Sequence, residues 1–515
     1  MFDLRRDIKD RTLTHIAFQD LWHLFELGQE VMTSDADPQV YRVIRWTGGR
    51  PDFQSRAHDL SNTRSEPRSS TFIVDVVYLD FDGSLYSPVQ QTFAIRKYDG
   101  ERAISNLSVF PLVFDPDHKL IREELVARGN RWLQLARADY WAHKSYKGPT
   151  VGEQPIEVDS QIIVDMKAGM VAFDQNMPQI GGLNLTPHNT GETHAEEQGP
   201  FDGSEHDDIH QDHDLDLQLE SAFLDEHQSW LVATVEPGDI EDEDKILLPS
   251  RVYAFALRLR KFVRLDVNRI EEVTYTSGFD ALVLPDGHKE TVRALVANHA
   301  RGPVNHDANS PDHGIDLVRG KGEGLVVLLH GAPGVGKTST AECVADSTKR
   351  PLYPITCGDI GDTAADVQAN LDVNFRWAHK WGCVLLLDEA DIFLQKRDKH
   401  NITRNSIVSV FLRTLEYYSG ILILTTNRVG TFDPAFRSRI HVSLYYPPLK
   451  KDATMQIWKM HLNRALELKG KDMKINTKDI LKFAKDHYYE LKKAGSGTWN
   501  GRYAHLNPLK FERTY

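Results

Sequence analysis

A chain of 515 residues is longer than one hydrophobic core supports, so about three domains of ordinary size are expected. Its 41% apolar and 26% charged content is that of a soluble globular protein, and no apolar run approaches the roughly 20 residues a membrane-spanning helix needs. The net charge of −13 is local, because residues 168–244 hold 20 of the 74 acids and none of the 61 bases, which leaves the rest mildly basic.

The opening, MFDLRRDIKDRTLTHIAF, mixes acids with bases and has neither the apolar stretch nor the small-residue cleavage site of a secretory leader. An intracellular location, cytoplasmic or nuclear, is therefore expected. Cys343, Cys357 and Cys383 stand apart from one another, which disfavours a disulfide framework or a zinc site and suits small buried residues. Residues 1–167 read as a β-rich domain. In TFIVDVVYLDFDGSLYSPVQQTFAIRKY, β-branched and aromatic residues flank an Asp82-Gly83 turn signal, as in a hairpin. A helix is expected from about Lys119 to Ala138, and Ile156, Val158, Ile162 and Val164 alternate as in a strand.

Residues 168–244 form an acidic, His-rich stretch, expected to be a largely disordered linker because Gly, His, Asp, Glu and Gln bury too little apolar surface to offset chain entropy. Its histidines, His188, His194, His206, His210, His213 and His227, match no compact metal-ligand spacing. A connecting α+β segment is expected over 245–319. There ILLPSRVYAFALRLRKFVRLDV reads as a strand with one solvated face, Tyr253, Phe255 and Leu257 opposing Ala254, Ala256 and Arg258, rather than as a basic nucleic-acid patch. A helix from Pro285 to Ala300 then leads into a polar loop.

The strongest chemistry follows. The strand LVVLLH runs into Gly331, Ala332, Pro333, Gly334, Val335, Gly336, Lys337 and Thr338, a complete GxxxxGK[ST] loop, with Ser339 opening a helical stretch. Glycines let successive backbone N–H groups turn toward phosphate oxygens, and the helix N-terminus adds its positive dipole end. Lys337 is expected to neutralise the β and γ phosphates of ATP, and Thr338 to ligate Mg²⁺. In VLLLDEAD the apolar run of a strand buried on both faces ends in two acids. Asp388 is expected to hold Mg²⁺ with Thr338, and Glu389 to activate the attacking water. One strand later, ILILTTNR places Asn427 to bond the γ-phosphate or that water.

Residues 320–446 resemble an AAA ATPase core: Walker A GAPGVGKT, Walker B LLLDEAD, sensor 1 TTNR, then FDPAFRSRIH, similar to the family's second region of homology. The resemblance implies an α/β P-loop NTPase core with a five-stranded parallel sheet and a small helical lid at 447–515. Strands are expected near 325–330, 352–356, 384–388, 421–426 and 440–445. It also implies ATP hydrolysis with Mg²⁺, a ring oligomer, usually a hexamer, and remodelling of a protein substrate. In that family arginines after the DPA stretch reach the neighbouring subunit's γ-phosphate; Arg439 is the closest match and Arg437 the second, the family's step being two residues longer. Together with WNGR at 499–502, these segments resemble AAA proteins of filamentous fungi that carry an N-terminal domain of unknown function, here similar to residues 15–165.

Two departures narrow the expectation. The segment Pro354 to Gly361 has no aromatic at the tip where protein-threading members carry one, which argues against threading. The lid is expected to be short, since WNGR, with Arg502 the candidate sensor 2, is followed by YAHLNPLKFERTY, in which Pro508 opposes a further helix. A nucleotide-gated scaffold with little turnover would suit an incomplete lid. A small-molecule kinase is disfavoured by the DE pair, and a GTPase by the lack of an NKxD step. A nucleic-acid motor is disfavoured because no aromatic residues interleave a basic stripe.

Overall fold

A computed structural model of the chain describes residues 2–34, 38–49, 71–137, 140–152, 154–173, 240–275, 278–285, 287–299, 324–394, 396, 402–428, 433–469 and 476–493. The six linker histidines and Arg502 lie outside the described residues. Packing divides the chain into two units, 1–256 with 261–272, and 257–260 with 273–515.

The first unit contains two antiparallel five-stranded sheets. One runs in the order 86–95, 72–81, 40–47, 30–33, 109–111. Its longest pair is the expected hairpin, in register from Phe72 opposite Ile95 to Phe81 opposite Tyr86. The Asp82 carboxylate accepts the N–H groups of Ser84 and Leu85, both at 2.7 Å, and Gly83 takes φ +93°, which closes the turn. The expected helix follows as His118–Leu135.

The second sheet corrects two expectations. Its order is 261–266, 251–256, 157–164, 142–149, 270–272, so strands on both sides of the acidic stretch share one sheet. The connecting segment is thus divided: residues 245–256 and 261–272 belong to the first unit, while Phe279, Val292 and Val296 join the core of the second. Strand Arg251–Ala256 has no solvated face, because Val252 through Ala256, whose side chains alternate between the two faces, are all buried. Ile156 falls outside its strand and is exposed, whereas Val158, Ile162 and Val164 are buried as expected.

Two ion pairs among the described residues of this unit hold buried carboxylates. Arg45 meets Asp75, which also accepts the Thr92 hydroxyl at 2.6 Å, and Arg251 meets Asp80. Burial drives the Asp80 carboxyl above its ordinary value, against the pull of Arg251. Removing one member of such a pair leaves an uncompensated buried charge. Arg251→Met is therefore expected to destabilise the protein by about 3–5 kcal/mol. An unchanged urea midpoint for the unit's transition would refute that role.

The second unit is built on a parallel sheet ordered 352–356, 384–388, 421–426, 325–331, 442–446. The first four strands run as expected, and the fifth begins at Val442. Leu325 to Leu329, Val384 to Leu387 and Ile421 to Leu424 are buried, as befits strands covered by helices on both faces. Helices Ala364–Lys380 and Ile402–Tyr417 occupy the crossovers, as right-handed parallel connections require. This order sets strands 384–388, 421–426 and 325–331 side by side, so their C-terminal ends open into one crevice. Helices Lys451–Lys469 and Thr477–Lys493 form a pair closed around Trp458, Leu462, Ile480 and Ala484, in the region expected to be the lid. Among the described residues no helix is long and apolar enough to cross a membrane.

Candidate functional site

The glycine-rich loop leaves the strand at Gly331 and enters helix Lys337–Thr348 through Gly336, whose φ of +99° places it in the left-handed region. Gly331, at φ +151°, lies against the Tyr446 carbonyl oxygen, and a Cβ there would collide with it. Val335 is buried in the core and anchors the loop from below, while Pro333 and Ser339 face outward. Tyr446 also steadies the helix entry, its hydroxyl donating to Thr340 Oγ1 at 2.9 Å, and burial pushes that phenol up to about 12.

Lys337 is 7% exposed and its ammonium is satisfied on three sides, by the carbonyls of Gly331 at 3.0 Å and Ala332 at 2.8 Å and by Asn427 Oδ1 at 2.8 Å. A lysine and an asparagine 90 positions apart, read from separate motifs, therefore meet directly. Thr338 Oγ1 lies 3.3 and 3.4 Å from the two Asp388 carboxylate oxygens. Hydroxyl and carboxylate oxygens converging at a strand end are the hard donor type that Mg²⁺ prefers, so these residues fit that ion.

Glu389 follows with φ +56°, rare for a residue with a side chain. Its flanking peptide groups are tied: its N–H donates to Thr425 Oγ1 at 3.0 Å, its carbonyl accepts Cys357 Sγ–H at 3.0 Å, and Ala390 N–H donates to the Thr425 carbonyl at 2.8 Å. Thr425 Oγ1 in turn donates to Asp388. The next residue, Thr426, donates to Asp391, which also accepts the Asn427 N–H at 3.3 Å and lies 4.0 Å from the Arg428 guanidinium.

The two candidate arginines lie away from this crevice's hydrogen bonds. Arg439 donates to the Ala435 carbonyl at 2.8 Å and pairs with Glu416 at the end of helix Ile402–Tyr417. Arg437 ends the short helix Pro434–Arg437, which Asp433 caps through the Ala435 N–H at 2.9 Å, and is exposed. The segment after the second strand, Pro354 to Gly361, contains a helical turn, Cys357–Ile360, closed by a capping box between Thr356 and Asp359.

Sequence reading missed Thr425, Thr426, Asp391, Cys357, Tyr446 and Glu416. A signal existed for two of them. Thr425 and Thr426 interrupt an apolar run at a strand's C-terminal end, and both are 1% exposed. Buried hydroxyls there require partners across the sheet.

Two segments of the chain match known family models. The family model described as "ATPase family associated with various cellular activities (AAA)" matches residues 327–448, and "Domain of unknown function (DUF7025)" matches residues 7–116. "Cell division control protein 48 homolog B" of Arabidopsis thaliana is 29% identical over 233 residues, 42% of this chain and 36% of that protein. "ATPase family AAA domain-containing protein 3B" of Homo sapiens is 29% identical over 146 residues, 27% of this chain and 22% of that protein. The crystal structure of the FIGL-1 AAA domain aligns with TM-score 0.29 and 24% identity, covering 37% of this chain and 62% of that one. The chain thus spans between 22% and 36% of the length of these two curated relatives.

Proposed function

We propose, for a chain that carries an AAA ATPase domain at 327–448 behind a DUF7025 domain at 7–116, that the crevice binds ATP with Mg²⁺ and hydrolyses the β–γ phosphoanhydride. The observation that carries this reading is the meeting of Lys337, Asn427, Thr338 and Asp388 at the ends of three adjacent strands.

In this mechanism the backbone N–H groups of residues 331–336 and the Lys337 ammonium hold the phosphate oxygens. Thr338 and Asp388 would hold Mg²⁺, which supplies neutralisation of phosphate charge. The Glu389 carboxylate takes a proton from water as its oxygen bonds to the γ-phosphorus, and the bond to the bridging oxygen breaks to release ADP. Asn427, now beside Lys337, orients that water or the γ-phosphate. Magnesium-dependent phosphate release by the purified chain is the expected result; its complete absence would sink the reading.

Oligomerisation belongs to the same proposal, an arginine of one subunit completing the next subunit's site in a ring, most simply a hexamer. Arg437, exposed at the end of its helix, is the better placed; Arg439 is held by Glu416 within its own chain. Arg437→Ala is expected to lower turnover by about 10³ with nucleotide binding retained. Mixing it with Glu389→Gln protein should restore part of the activity, since one supplies an intact site and the other an intact arginine. Restoration with Arg439→Ala instead would transfer the role to Arg439. Turnover is proposed to move the helical pair 451–493 and remodel a protein partner inside the cell, with nucleic acid disfavoured as the substrate.

A further inference from the structure

The Thr425 hydroxyl occupies a place for which hydrolysis as such makes no demand. It is 1% exposed, it donates to the Asp388 carboxylate, and it accepts the Glu389 N–H at 3.0 Å. Its one proton and one lone pair thus join the expected metal ligand to the backbone of the expected base. The same residue's carbonyl takes the following N–H, that of Ala390, at 2.8 Å.

Glu389 needs such support. At φ +56° it holds a backbone conformation that strains a non-glycine residue and persists only where neighbours over-determine it. The strand register explains why Thr425 can provide it. Strands 384–388 and 421–426 run parallel with Leu387 opposite Leu424, so the next residue of each, Asp388 and Thr425, face each other where the ladder ends. Beyond that point the Glu389 N–H has no strand partner and turns to the threonine side chain.

We infer that Thr425 is a positioning residue for hydrolysis, which sets the Asp388 carboxylate and the Glu389 turn as one unit so that metal ligand and base are aimed together. The inference rests on the ATPase reading above. It makes the hydroxyl, rather than the bulk of the side chain, the operative group. Valine preserves the shape but leaves the half-buried Glu389 N–H without its acceptor and the Asp388 carboxylate short of one donor. Serine keeps the hydroxyl.

The test compares wild type, Thr425→Val and Thr425→Ser for steady-state phosphate release, nucleotide affinity and melting temperature. Loss of a group that orients a metal ligand typically lowers activity 10–100-fold, so T425V is expected to lose about that much kcat with ATP affinity within a few-fold of wild type. T425S is expected to recover most of it. If T425V does not fold, Thr425→Ala, which removes the same hydroxyl without setting a methyl against Asp388, replaces it. Wild-type kcat in the hydroxyl-less variant, or an equal loss in T425S, overturns the inference. Absence of Lys337-dependent turnover in the wild type overturns the ATPase reading and this inference with it. Active wild type beside an unimpaired T425V fails the inference alone.

Discussion

Lys337→Ala is expected to abolish measurable nucleotide binding. The ammonium is buried at the centre of the loop, bonded to Gly331, Ala332 and Asn427, and no other buried cation is described at that crevice. A charged hydrogen bond contributes about 1.5–3 kcal/mol, and in the proposed complex this group serves two phosphates, so an affinity loss of at least roughly 100-fold is expected. Titration with a fluorescent ATP analogue reads it. The substitution also leaves two loop carbonyls without their donor, so the melting temperature is measured alongside. A folded K337A protein that binds within two-fold of wild type would show that the crevice does not take nucleotide.

Glu389→Gln separates binding from chemistry. Glutamine has the length of glutamate and leaves undisturbed the two backbone contacts of residue 389, the N–H to Thr425 and the carbonyl from Cys357. What it removes is the proton acceptor. General base catalysis contributes about 10²–10⁴-fold, so turnover should fall by that factor while ATP affinity holds. Single-turnover hydrolysis beside equilibrium binding distinguishes the two quantities. Normal hydrolysis by E389Q would remove Glu389 from the role of base and redirect attention to Asp391, held nearby by Thr426. The same variant, kept in its ATP-bound form, is the reagent with which to test for the proposed protein partner and the proposed ring together.

The candidate nucleotide site was readable from the chain because its signals are local. Glycine spacing, an apolar run ending in acids and a strand-end asparagine each need only a few consecutive residues, and the structure brings Lys337, Thr338, Asp388 and Asn427 to one crevice. The apolar strands were readable for the same reason, since burial on both faces writes a continuous run. The arginines were only partly readable. Composition places two of them after Asp433, but the pairing of Arg439 with Glu416, which tells their surroundings apart, joins segments 23 positions apart.

The sequence by itself therefore determined the five strands and the positions of the glycine-rich loop, the acid pair and Asn427 along them, since each follows from a short pattern and its burial. Only the tertiary structure decided that strands on either side of the acidic stretch share a sheet, that Arg251–Ala256 is enclosed rather than half-solvated, and that Thr425 ties Asp388 to Glu389. These facts depend on strand order and register. Neighbouring strands are chosen by how whole faces pack, so no local window of residues encodes them.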